Sequence, residues 1–183
     1  MRIFAALPLP AQAVKKLEEL AAELKTRYPD LRVVKPQGMH LTMIFFGELN
    51  QDQVLRVMRV MYSSELKVSS IQAVMGGIGQ FPLQGRPRVI YCPIHKGAPE
   101  ISYLYRLYYQ MLSNSGGLSI DEQREFTPHI TLARNKDARV SLSDVEELFR
   151  FDYSLILDRL VLYQSILRPQ GAEYKVMKTV MLG

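Results

Sequence analysis

His40-Leu41-Thr42 and His129-Ile130-Thr131 repeat one short pattern and use two of the three histidines in the 183-residue chain. Side chains alternate along a β-strand, so a histidine and a threonine two positions apart face the same way, roughly 6–7 Å apart. Each copy therefore offers one proton-transfer group and one hydroxyl to a common surface. If the two strands lie side by side, a single pocket holds two imidazoles and two hydroxyls. With an ordinary pKa of about 6.5, one imidazole can sit neutral while its partner carries a proton. That pair suits acid–base chemistry on a phosphate, one ring activating water and the other protonating a departing alkoxide. His40 and His129 are the catalytic candidates. Thr42 and Thr131 are the candidate phosphate-binding groups, placed to hydrogen-bond non-bridging oxygens and to steady the charge that grows there. This chemistry calls for no metal and no other cofactor.

A solitary His-x-Thr is most often a packed strand residue; two copies in matching surroundings favour the functional reading. Three histidines could in principle hold zinc. However, there is no His-Glu-x-x-His, no histidine pair at helical spacing and no carboxylate inside either motif, so no metal site is expected. Phe46 shares the strand parity of His40 and Thr42 and is a candidate substrate contact, stacking on a base from the same face. Arg134 lies three positions past Thr131, and simple alternation turns it to the opposite face unless the strand bends. His95, in Pro93-Ile94-His95-Lys96-Gly97, reads as an exposed turn residue. Tyr103, Tyr105, Tyr108 and Tyr109 sit at helical spacing, where core packing explains them better than a nucleic-acid platform.

The elements that must carry these residues alternate along the chain. Arg2 to Leu7 reads as a strand. The spacing Val14, Leu17, Ala21, Leu24 predicts a helix that stops near Tyr28-Pro29. Leu31 to Lys35 is extended and leads through the turn Pro36-Gln37-Gly38 into the strand of His40. Asn50 and Gln53 form a capping box ahead of the stripe Val54, Val57, Met58, Met61, predicting a helix to about Ser64. Strands are expected around Val68 to Met75 and Val89 to Pro93, with a glycine- and proline-rich loop between them. Ile101, Leu104, Tyr108 and Met111 mark a third helix, ending near Ser115-Gly116-Gly117. The polar stretch Asp121 to Arg124 precedes the strand of His129. Ser143 with Glu146 is a second capping box, followed by Val145, Leu148 and Phe149. Strands at Tyr153 to Leu157, Arg159 to Tyr163 and Tyr174 to Met181 complete the pattern. Superposing the histidines, an offset of 129 − 40 = 89 residues, sets the helix near Ala11 on the helix near Glu100, and the order of elements suggests an internal duplication, although identity outside the motifs is slight and the later strands drift out of register by several positions.

Composition bounds the answer. With 48% hydrophobic and 22% charged residues the chain is ordinary globular protein, of a length suited to one domain over residues 1–183 with no separate linker domain. The apolar opening Met1 to Leu7 is short and is followed by Pro8 and Pro10, which predicts neither a signal nor a membrane span and a cytoplasmic protein. A monomer is expected. A single cysteine excludes an internal disulfide and a cysteine-based metal cage. The net charge of +5 favours anionic partners, although the Lys and Arg residues are dispersed.

Met39-His40-Leu41-Thr42-Met43-Ile44-Phe45-Phe46-Gly47-Glu48 and Phe126-Thr127-Pro128-His129-Ile130-Thr131-Leu132-Ala133-Arg134 resemble the paired signatures of the two-histidine phosphoesterases. The likeness is greatest to the RNA 2′,3′-cyclic phosphodiesterases, also described as 2′-5′ RNA ligases. The stretches Arg2 to Leu7, Val34-Lys35-Pro36, Arg86 to Tyr91 and Leu162 to Ser165 extend it over nearly the whole chain. The resemblance implies an α+β fold, bilobal by pseudo-twofold duplication, with two antiparallel sheets around a central cleft and helices outside. It implies hydrolysis of 2′,3′-cyclic phosphate ends of RNA or nucleotides, tRNA among them, to 2′-phosphomonoesters. It also implies that His40 donates a proton to the leaving 3′-oxygen, that His129 activates water, and that Arg134 contacts phosphate or ribose. Val33 and Tyr91 stand where relatives often carry tryptophan, and Gln37-Gly38 replaces an acidic residue and asparagine; both departures bear on base preference. The competing reading is a binding module of this fold that holds nucleotides or tRNA ends without turnover.

Overall fold

The computed structural model describes residues 1–63, 68–118, 126–136, 149–169 and 171–183. Its elements follow as β1 (Arg2–Pro8), α1 (Ala11–Arg27), β2 (Arg32–Val33), a 3-10 turn (Pro36–Gly38), β3 (His40–Glu48), α2 (Gln51–Met61), β4 (Ile71–Met75), β5 (Gly79–Phe81), β6 (Val89–Lys96), α3 (Ala98–Asn114), β7 (His129–Arg134), β8 (Tyr153–Leu157), β9 (Arg159–Arg168) and β10 (Gly171–Met181). The helices form where apolar residues recur every three or four positions. In α1, Ala13, Leu17, Leu20, Ala21 and Leu24 are buried along one stripe, and the helix stops before Pro29. In α2 both bonds of the expected capping box are made: the Asn50 side chain accepts from the Gln53 backbone and the Gln53 side chain accepts from the Asn50 backbone. The expected second box at Ser143 and Glu146, and the polar stretch Asp121 to Arg124, lie outside the described residues.

The mixed α+β class holds. The strands join in one ten-stranded run with antiparallel pairing throughout, in the order β10-β9-β1-β3-β7-β6-β4-β8, with β2 added to β7 and β5 to β6. Two antiparallel sheets were the expectation; a single register pair, Leu41 with Ile130, bridges the run at its centre. Past that pair β7 leaves β3 for β2, and the Val34 backbone N–H donates to the Leu132 carbonyl at 2.8 Å.

One sheet face meets the helices. Ile3, Ala5, Leu7, Leu41, Met43, Ile130, Leu132, Ile90 and Cys92 share a continuous core with the apolar stripes of α1, α2 and α3. Residues of opposite parity, among them Phe4, Ala6, His40, Thr42, His129 and Thr131, fall on the face turned away from the helices. Two elements differ from the expected pattern. β5 lies within the predicted loop, because three residues suffice to pair with β6. β6 runs on to Lys96, so His95 stands on a strand, exposed, its Nε2 donating to the Gly76 carbonyl at 2.7 Å.

Candidate active site

The register that pairs Leu41 with Ile130 sets His40 against Thr131 and Thr42 against His129. Both partners of the central pair are fully buried on the helix side, so the four polar residues share the other face. Diagonal neighbours in such a pair stand roughly 7–8 Å apart, which brings the two imidazoles to either side of one small space. The structure therefore assembles the four residues that the motifs single out.

Each ring is held by aromatic neighbours. His40 stacks on Phe4 at 4.9 Å between centroids, with Tyr174 edge-on at 5.5 Å and Tyr163 at 6.1 Å. Tyr174 comes from the outer strand β10, so the sheet curls strongly to bring it here. It passes close to Gly38, where an added Cβ would stand 3.8 Å from the tyrosine ring and 2.9 Å from Val34 Cγ1. His129 is bracketed edge-on by Phe81 at 5.1 Å and Tyr91 at 5.2 Å, which stack on each other at 4.4 Å. Gly79, paired with Tyr91 across β5 and β6, makes this bracket feasible, because a Cβ there would meet the Tyr91 ring at 2.5 Å.

The two imidazoles differ electrostatically. Burial alone pushes the His40 pKa from 6.5 down to about 4, since an imidazolium against Phe4 loses its hydration. The His129 pKa is also lowered, first by burial and further by the nearby Arg134 guanidinium, against an opposing hydrogen bond. In that bond His129 Nδ1 donates to the Thr127 carbonyl at 2.7 Å. A carbonyl only accepts, so Nδ1 carries the proton and Nε2 keeps its lone pair in the neutral ring.

Phe46 is not where strand parity puts it. The β1–β3 register slips between Ala5 and Ala6, so Met43 and Ile44 both face the core, and from there the alternation is inverted. Phe46 is 7% exposed in the core, while Phe45, 44% exposed, pairs with Phe4 and carries the Arg2 guanidinium 5.1 Å above its ring. The aromatic on the histidine face is thus Phe45. The same device acts on β7. The β6–β7 register slips beside Leu132, so Leu132 and Ala133 are both buried and Arg134 returns to the face of His129. The parity expectation for Arg134 fails for the reason that excludes Phe46. Tyr163, Tyr174 and Phe81 escape sequence reasoning as site residues, and Tyr91 enters it only through the family resemblance, because these rings reach the histidines only through strand pairing.

A groove of about 990 Å³ opens beside the His40 ring, with Tyr163, Tyr174 and Arg134 in its wall. Among the described residues no three His, Cys, Asp or Glu side chains gather as a metal site would require.

The family model of the LigT like phosphoesterases matches residues 7–91 and 98–174. The chain belongs to that family. Against this LigT-like phosphoesterase, a protein of Aeropyrum pernix named RNA 2′,3′-cyclic phosphodiesterase is 32% identical over 155 residues, covering 82% of this chain and 85% of its own length. One of the same name from Archaeoglobus fulgidus is 26% identical over 180 residues, covering 97% and 98%. A crystal structure of a Thermus thermophilus protein superposes on the LigT-like chain with a TM-score of 0.86 at 26% identity, covering 100% of this chain and 98% of the other.

Proposed function

We propose that this LigT-like protein is an RNA 2′,3′-cyclic phosphodiesterase working by metal-independent acid–base catalysis. The observation that carries the reading is the Leu41–Ile130 register, which puts two imidazoles and two hydroxyls around one space. His129 is the base: with Nδ1 held by Thr127, its Nε2 takes a proton from water as the water oxygen attacks phosphorus. The bond from phosphorus to the 3′-oxygen breaks, and His40 gives that oxygen its proton. The product is a 2′-phosphomonoester with a free 3′-hydroxyl. Thr42 and Thr131 donate to the non-bridging oxygens, and Arg134 offsets the added charge. A metal does not enter, because the two rings supply both proton transfers. The chain is read as one domain of two duplicated lobes about a pseudo-twofold axis, since β1-α1-β3 and β6-α3-β7 repeat one order on either side of the central pair.

The test is turnover of a nucleoside 2′,3′-cyclic phosphate in EDTA. The wild type is expected to work there, and His40→Ala and His129→Ala each to lose roughly 10²–10⁴ in kcat. Equal turnover by all three proteins overturns the assignment, and binding without turnover by the wild type favours the module that only holds nucleotide ends.

A further inference from the structure

Arg32 and Arg134 are direct cross-strand partners on β2 and β7. Partners in an antiparallel pair project to the same face, and like charges set opposite one another destabilise a sheet. Such a juxtaposition is stabilising when an anion lies between the guanidiniums. Both arginines line the groove beside His40, together with Lys35, Arg168, Tyr163 and Tyr174. Among the described residues Glu173 is the one acid in its wall, and it binds Arg168 Nε at 3.1 Å, which fixes that guanidinium at the end of β9. At about 990 Å³ the groove lies at the top of the range that encloses a small ligand, roughly 300–1,000 Å³. Tyr163 and Tyr174, the rings beside His40, share its lining with the cations of Arg32, Lys35, Arg134 and Arg168. That combination suits a single-stranded nucleic-acid backbone with its bases against tyrosine.

We propose that this groove binds the RNA backbone on the 5′ side of the cyclic phosphate, with Arg32 and Arg168 each taking a phosphodiester. It rests on the cyclic phosphodiesterase reading and adds where the upstream RNA lies, so that an RNA end is preferred over a free cyclic mononucleotide. Arg134 serves both parts, facing His129 on one side and Arg32 on the other.

Two measurements test it. In the first, a 5′-labelled trinucleotide ending in a 2′-phosphate is titrated with protein at several salt concentrations. Two neutralised phosphodiesters add a slope of about −1.4 in log K against log salt, beyond that of a 2′-mononucleotide. The double variant Arg32→Gln/Arg168→Gln is expected to lose that extra slope and about a hundredfold in trinucleotide affinity at low salt, near tenfold for each phosphate contact. In the second, the ratio of kcat/KM for a trinucleotide 2′,3′-cyclic phosphate to that for the cyclic mononucleotide falls by a similar factor. Arg168→Glu alone, on the exposed hairpin, repeats the test without touching β2. Trinucleotide affinity and salt slope unchanged in both variants overturn the groove. A wild type that binds the trinucleotide with the arginine-dependent slope but hydrolyses neither substrate supports the groove and refutes the hydrolase.

Discussion

Phe45 and Arg134 occupy equivalent places on β3 and β7, each five residues past its histidine and each returned to the histidine face by a one-residue slip in strand register. The two slips fall just after the threonines, beside Met43 and Leu132. The backbone thus makes the same move on both strands, but the side chains that it aims at the site differ: one is an aromatic ring and the other a cation. Unlike groups at matching places can bind an unsymmetrical substrate in one orientation. The ring suits a base or sugar, and the guanidinium suits the phosphate.

Phe45 and its neighbour therefore separate function from stability. Phe45→Ala is expected to raise KM for cyclic nucleotides several-fold, while the melting temperature stays within a few degrees, because the ring is 44% exposed. Phe46→Ala empties a core position and should cost about 3–5 kcal/mol of stability. Activity titrations alongside urea unfolding of the two variants check the contrast. The reverse pattern would restore Phe46 to the site.

Phe46 departs from its expected face for a physical reason. Alternation is a local property that two-residue spacing reports faithfully, so His40 with Thr42 and His129 with Thr131 are legible at once. A bulge inserts one residue with no compositional mark, and every side chain beyond it changes face. The helices are legible because their signals are local too: the apolar stripe of α1 and the Asn50–Gln53 box. Strand β5 is not, because Gly79 to Phe81 is three residues long in a glycine- and proline-rich stretch, too short to show the alternation that marks a strand. The clasp of Tyr163 and Tyr174 around His40 is hidden likewise, since it depends on the curl of β9 and β10 across three strands.

Arg134 acts on His129 through charge, and its removal has a definite sign. The guanidinium lowers the pKa of His129, so Arg134→Gln should raise it. The limb of the kcat/KM profile that reports the base then moves to higher pH. Loss of a charge-assisted contact to phosphate, worth about 1.5–3 kcal/mol, should also reduce kcat/KM by roughly 10–100-fold at the optimum. Pre-steady-state or steady-state profiles between pH 4.5 and 8 would register both effects. A limb that stays in place means that Arg134 does not face His129 in solution.

His40 makes the fold sensitive to acid. Its pKa is about 4 in the folded protein, against 6.5 for the free side chain. Above pH 6.5 the ring is neutral in both states and contributes nothing to pH dependence. Between 6.5 and 4 the unfolded chain binds a proton that the folded one refuses, so stability declines as pH falls through this window and levels off below it. Complete loss amounts to about 3 kcal/mol. His40→Asn abolishes this share, so its unfolding free energy should fall less than that of the wild type between pH 7 and pH 4.5. Parallel slopes would show that the ring is hydrated in the native state.

The same depressed pKa bears on catalysis, because an acid must hold a proton before it can give one. At neutral pH the free protein carries His40 uncharged, with Phe4 stacked against it and no hydrogen bond to it among the described residues. A bound phosphate changes that balance, since an anion beside the ring favours imidazolium. Anion binding must then bring a proton with it, and by linkage must strengthen as pH falls from 7 toward 5. In the proposed mechanism the imidazolium so formed is the acid that protonates the 3′-oxygen. Calorimetric titration with a 2′-nucleotide in buffers of different ionisation enthalpy should reveal the uptake, near one proton at pH 7 if the shift is complete and about zero in His40→Ala. NMR of the His40 ring should show its pKa rising on binding. Binding without proton uptake would mean that His40 meets the substrate uncharged, and the leaving oxygen would have to take its proton from another group.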